Sequence, residues 1–252
     1  MELNFRQYGS GQPLVILHGL FGSSDNWQTL GKQLAEDYEV FLVDQRNHGK
    51  SGHSEDFSYE LMADDLYEFF RSNHIYDAIL VGHSMGGKTS MLFAQNNPDL
   101  LEKLVVVDIG IKQYPMHHGP ILAGLNAVNP RTLGGRSEAE EIISKHIEDV
   151  GVRQFLLKNL YWAEKGVLDW RFNLPVLERE MENILTKLPL DDIKVPTLFL
   201  RGELSNYILE EDYDSIKQVF SNGEIETIKG VGHWIHAEAP QEFKQKLLDF
   251  IS

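Results

Sequence analysis

Ala78-Ile79-Leu80-Val81-Gly82-His83-Ser84-Met85-Gly86-Gly87-Lys88 changes character within a few residues. Ala78 to Val81 is apolar on both faces of an extended chain, as in a buried parallel strand. Gly82 to Gly86 then reads G-x-S-x-G, and residues 88–96 continue as a helical pattern. Strand, tight turn and helix with a serine at the apex form a nucleophile elbow. The small residues permit close approach of strand and helix. The strained backbone at Ser84 lifts its hydroxyl above the strand end, where a base can reach it.

The same kind of apolar run recurs on either side, at Leu14–Leu17, Val40–Val43, Leu104–Val107, Thr197–Leu200 and Ile225–Ile228. Amphipathic helical spacing fills the gaps between them, as in Trp27, Leu30, Leu34 and Tyr38. Such alternation predicts an α/β fold, a mostly parallel doubly wound sheet with helices on both faces and right-handed crossovers. Leu3 to Tyr8 is expected to add an antiparallel edge strand. Between Ile111 and Leu188 no buried strand is legible. Helical patterns occur near Ile121–Val128, Ala139–Ile147, Val152–Leu160 and Val176–Leu185. The reading is therefore a core of residues 1–111 and 188–252, with residues 112–187 inserted as a helical cap.

Composition narrows the function classes. Lys and Arg number 23 against 38 Asp and Glu, a net charge of −15 over 252 residues. That surface repels phosphate backbones and anionic lipid, so neither nucleic acid nor membrane is an expected partner. No cysteine is present, which excludes a thiolate nucleophile and a Cys-ligated zinc. The N-terminus lacks a basic segment followed by an apolar one, so a cytoplasmic location is expected. Monomer and homodimer both remain open.

Three further groups complete the chemistry that the elbow suggests. His18-Gly19-Leu20-Phe21-Gly22 follows the first apolar run. Acyl transfer develops negative charge on the carbonyl oxygen, and each fixed N–H donor aimed there is worth roughly 3–4 kcal/mol. The backbone N–H groups of Leu20 and Met85 are assigned this oxyanion role. Of ten histidines, His233 lies just past the last run, in Gly230-Val231-Gly232-His233-Trp234. Strand C-terminal ends converge in such sheets, so His233 is the expected base and His236 its nearest competitor. The acid is expected after Thr197–Leu200, but Gly202-Glu203-Leu204-Ser205 carries serine at the awaited position. Asp108 ends the strand that follows the elbow helix, and the order Ser84…Asp108…His233 suits a hydrolase. Asp108 is preferred, with Glu203 as runner-up.

Asp44-Gln45-Arg46-Asn47-His48-Gly49 is read as a polar brace for the neighbouring turn. His117-His118 is read as a solvated loop. Aromatic side chains supply apolar surface near the elbow, and Phe21, Phe155, Trp162, Trp170, Tyr207 and Trp234 are candidates for lining the substrate pocket. Lys88 and Arg171 are candidate partners for an anionic group.

Taken together these motifs resemble the α/β-hydrolase superfamily and, within it, the YbfF-type bacterial esterases. The likeness extends over nearly the whole chain. It includes His18-Gly19-Leu20-Phe21-Gly22-Ser23, Asp44 to Gly49, Gly82 to Lys88, Trp170-Arg171-Phe172-Asn173-Leu174-Pro175 and Gly232-His233-Trp234-Ile235-His236-Ala237-Glu238. Gly202, Ser205 and Tyr207 fit that family too, which has serine rather than aspartate at this point. Two and three positions after the strand-end aspartate that family tends to have a small residue and proline; Gly110 and Ile111 stand there, and Ile111 departs from the proline. The resemblance implies hydrolysis of short or medium acyl esters, or of acyl thioesters, under a helical cap. The expected enzyme is a cofactor-free, metal-free serine hydrolase acting through an acyl-enzyme. The alternatives are C–C bond hydrolysis of a vinylogous diketone acid and a slow-turnover ligand sensor.

Overall fold

In the computed structural model, which covers residues 1–252, every apolar run named above lies in a strand. Chain order begins β1 (Phe5–Tyr8), β2 (Gln12–Leu17), α1 (Gln28–Leu34), β3 (Tyr38–Val43), α2 (Tyr59–Ser72), β4 (Ala78–His83), α3 (Met85–Asn96) and β5 (Leu101–Val107). After an excursion the core resumes with β8 (Thr197–Gly202), α9 (Tyr213–Val219), β9 (Gly223–Ile228), α10 (Ile235–Glu238) and α11 (Pro240–Ile251). The sheet order is β1-β3-β2-β4-β5-β8-β9. Only β1 runs antiparallel, pairing with β3, as the edge reading predicts.

Alternation along the strands divides the core between the two sheet faces. Val15 and Leu17 join α2 and α3 residues such as Leu66, Phe70 and Phe93. Leu14 and Ile16 join Trp27, Leu30, Phe243 and Leu247 from α1 and α11 on the opposite face. Truncating one such phenylalanine typically costs about 3–5 kcal/mol. Local signals agree with this packing. Ser58 caps α2 by accepting from Leu61 N at 3.2 Å.

The chain steps from β2 outward to β3 and then returns to place β4 on the other side of β2. Strand order reverses there, and ligands in such sheets bind in the crevice beyond the strand ends at that reversal. The turn after β2 and the elbow after β4 therefore meet at one point.

The excursion between β5 and β8 contains α4 (Gly119–Ala127), α5 (Arg136–Ile143), α6 (Val150–Leu157), β6 (Leu160–Glu164), β7 (Val167–Trp170), α7 (Leu174–Arg179) and α8 (Met181–Leu185). Two details differ from the all-helical expectation. β6 and β7 form an antiparallel hairpin turning at Gly166, whose φ is +81°. It is half exposed, so it shows no continuous apolar run. The single helix expected over 176–185 is two short ones meeting at Glu180. The core grips the return of this excursion: Tyr59 Oη donates to Ile184 O at 2.8 Å, and Lys88 Nζ donates to Thr186 O. No helix is long and apolar enough to cross a membrane.

Candidate active site

Ser84 stands between β4 and α3 with φ +53° and ψ −119°, a conformation that costs a non-glycine residue roughly 1–3 kcal/mol. The small neighbours make the turn possible. A Cβ on Gly86 would sit 2.5 Å from His18 O and 2.8 Å from Leu17 O, and one on Gly82 would overlap Gly86 O. Met85 is the first residue of α3, so its N–H has no intrahelical partner.

His233 and Asp108 meet at the same rim. His233 Nδ1 donates to Asp108 Oδ2 at 2.8 Å. That bond leaves Nε2 as the ring nitrogen able to accept a proton. Asp108 is fully buried, at 0 % exposure, with φ +49°. Its carboxylate also accepts Gly202 N at 3.0 Å and the Ser205 hydroxyl. The serine that replaces the awaited acid thus donates to Asp108 from across the sheet. Glu203 points elsewhere: it is exposed, and its Oε2 accepts Gly230 N at 2.9 Å. Ser84 Oγ and His233 Nε2 line one cavity without a hydrogen bond between them. Such bonds commonly tighten only when substrate arrives.

His83 ties the elbow to the base. Its Nε2 lies 3.0 Å from His233 O, and a carbonyl only accepts, so Nε2 carries the proton. Burial holds this ring's pKa well below the ordinary histidine value, so it is neutral. His236, the competing base, is instead stacked 4.0 Å from Trp27 and pushed down to about 3 by burial. It faces the packing behind the site. Tyr207 stacks on the His233 ring at 4.0 Å, and its hydroxyl meets His117 Nε2 at 2.7 Å.

The turn after β2 is held open by the polar brace. Phe21 has φ +57° and donates its N–H to His48 Nε2 at 3.2 Å, while His48 Nδ1 donates to Arg46 O at 2.9 Å. Burial pushes His48 down to about 3, keeping it a neutral acceptor. Gln45 N donates to His18 Nε2 at 3.0 Å, and Asp44 Oδ1 accepts Ser24 N at 2.6 Å. Phe21's N–H is therefore occupied, whereas the N–H groups of Leu20 and Met85 have no partner within the protein. No three His, Asp or Glu side chains converge as metal ligands.

A cavity of about 180 Å³ opens over Ser84 and His233. Of the candidate lining residues, Phe21, Phe155, Tyr207 and Trp234 face it. Trp162 and Trp170 do not. Trp162 is 54 % exposed on the hairpin, and Trp170 stacks on Phe172, which in turn packs against Phe21. His117 and His118, read from the sequence as a solvated loop, also line the cavity, as do Ile121, Val152 and Leu156, whose helical spacing alone does not announce it. Burial lowers His118 to about 4. Lys88 is buried beneath the elbow, where desolvation lowers it to about 7. Arg171 instead stacks its guanidinium 4.0 Å from the Tyr161 ring, away from the cavity.

A family model described as alpha/beta hydrolase fold matches residues 12–136. The chain is 39% identical over 248 residues to mouse (Mus musculus) sn-1-specific diacylglycerol lipase ABHD11, covering 95% of this chain and 80% of that one. It is 38% identical over 248 residues to the esterase YbfF of Escherichia coli, covering 95% of both. A solved structure of a marine microorganism esterase superposes with TM-score 0.96 at 44% identity, over 99% of each chain.

Proposed function

The chain belongs to the alpha/beta-hydrolase family, and on that footing we propose that it is a serine esterase that cleaves short- to medium-chain carboxylic esters, and acyl thioesters of similar size, through an acyl-enzyme. One observation carries the reading. A buried carboxylate holds the Nδ1–H of His233 at 2.8 Å, on the same cavity as a strained serine.

Ser84 Oγ attacks the acyl carbon while His233 Nε2 takes its proton. Asp108 fixes the imidazole tautomer and stabilises the imidazolium that forms. The carbonyl oxygen, now negative, meets the free N–H groups of Leu20 and Met85. His233 then gives the proton to the leaving group, which departs. Water, deprotonated by the same ring, attacks the acyl-enzyme and releases the acid and Ser84. Residues 112–187 act as a cap over a core formed by 1–111 and 188–252, and Phe21, Phe155, Tyr207 and Trp234 hold the substrate beneath it.

A fluorophosphonate probe should label the native protein, and Ser84→Ala should abolish that labelling. p-Nitrophenyl esters should turn over at the same site. Labelling that persists at another serine would refute the nucleophile, and tight ligand binding with negligible turnover would refute the esterase.

A further inference from the structure

A tetrahedral intermediate on Ser84 has three further substituents on the former carbonyl carbon: the oxyanion, the leaving-group atom and the acyl chain. Their directions are not interchangeable. The oxyanion faces Leu20 and Met85. The leaving-group atom must receive a proton from His233, so it lies on the His233 side. The acyl chain takes the direction that remains.

Two cavities open from Ser84, and only one contains His233. The larger, about 180 Å³, is bordered by His233, Phe155 and Trp234. The smaller, about 20 Å³, is lined by Leu20, Met85, Lys88, Tyr59 and Leu185 and does not include His233. We infer that the smaller cavity takes the acyl group and the larger one the leaving group. The inference rests on the esterase reading and fixes which arm of the ester goes where.

Size and polarity then set the substrate class. A space of 20 Å³ admits on the order of one water-sized group, which matches the methyl of an acetyl chain. Its lining is not wholly apolar. Lys88 Nζ donates to Thr186 O there and lies 5.1 Å from the centre of the Tyr114 ring. A longer alkyl chain would have to displace that anchored group. Within the range of esters proposed above, the favoured substrates are therefore acetyl esters of bulky, apolar alcohols.

The experiment measures kcat/KM for two ester series, each rate divided by that of hydroxide hydrolysis. In the first, p-nitrophenol is fixed and the acyl group grows from acetate through butyrate to octanoate. A fall of about 100-fold or more from acetate to butyrate is expected, since one methylene commonly changes kcat/KM by about 10-fold or more. In the second, acetate is fixed and the alcohol grows from ethanol to hexanol; kcat/KM should rise. Leu185→Ala should shrink the acetate-to-butyrate ratio at least tenfold. Phe155→Ala should flatten the alcohol series and leave the acyl order intact. A wild-type acyl series that stays level or rises towards octanoate overturns the inference, whether or not the variants fold. So does an acyl order that responds to Phe155→Ala. Absence of turnover together with absence of Ser84 labelling would instead defeat the esterase reading beneath it.

Discussion

Replacing Asp108 by Asn changes one atom in a fully buried group, so its effect is calculable from the bonds around it. Oδ2 receives two donors, the His233 ring and the Ser205 hydroxyl, while Oδ1 receives Gly202 N. An asparagine that keeps its oxygen towards His233 turns its NH2 group against Gly202 N. Two donors then face each other, at a cost of about 1–3 kcal/mol for the buried unsatisfied pair. The opposite orientation spares Gly202 but presents NH2 to His233 Nδ1, which forces the proton onto Nε2 and removes the base. Both orientations also lose the negative charge behind the imidazolium. The expected loss in kcat/KM is about 10³- to 10⁴-fold, or roughly 4–5.5 kcal/mol. Thermal stability should fall by about 1–3 kcal/mol as well. Glu203→Gln removes an exposed charge and leaves an amide oxygen able to accept Gly230 N, so its effect should stay within about tenfold. Steady-state hydrolysis of p-nitrophenyl acetate and thermal melts measure both. Full activity in Asp108→Asn, or a large loss in Glu203→Gln, would refute the assignment of the acid.

Ser205→Ala deletes one of the three donors to Asp108 and should lower kcat by about tenfold with little change in KM; an unchanged kcat would show that the hydroxyl does not matter to the acid. Gly86→Ala drives a methyl to 2.5 Å from His18 O, so the elbow must deform and fluorophosphonate labelling should be lost; unimpaired labelling would contradict the close approach. Acid should destabilise the fold through its buried histidines. Burial depresses His48 and His236 to about 3, whereas the unfolded chain protonates near 6.5. Their contribution is complete above pH 6.5 and is lost as pH falls towards 3, amounting to about 2 kcal/mol per histidine by pH 5. A melting temperature that stays constant from pH 7 to pH 5 would contradict this.

β2 to β5 and β8 were legible because they have little solvent-facing side, and an apolar run needs no tertiary information to be seen; β9, at the sheet edge and only partly buried, was marked by Ile225 and Ile228. That Ser84, Asp108 and His233 meet at one rim was legible for a related reason, since each closes or follows such a run. The hairpin β6–β7 escaped because β6 is buried only at Leu160 and runs out into solvent, and Tyr161 and Trp162 read equally well as helix surface. The pocket was only half legible. Whether Trp170 or Ile121 faces Ser84 depends on how the excursion is draped over the sheet, and helical spacing is silent on that. The service of Ser205 to Asp108 was hidden too, because its donor and acceptor come from different strands.

Asp108 is the last residue before the chain leaves the sheet for the excursion, yet it is moored on the far side. Its own N–H donates to Leu200 O at 2.8 Å, and its carboxylate is held by Gly202 N. The excursion has its own tie to the same rim: the Tyr114 hydroxyl accepts Gly110 N at 2.7 Å and donates to Tyr207 O at 2.8 Å, and Tyr207 stacks on the His233 ring. The carboxylate and the ring are therefore steadied from opposite flanks, one by a strand of the sheet and the other by the segment that passes over it.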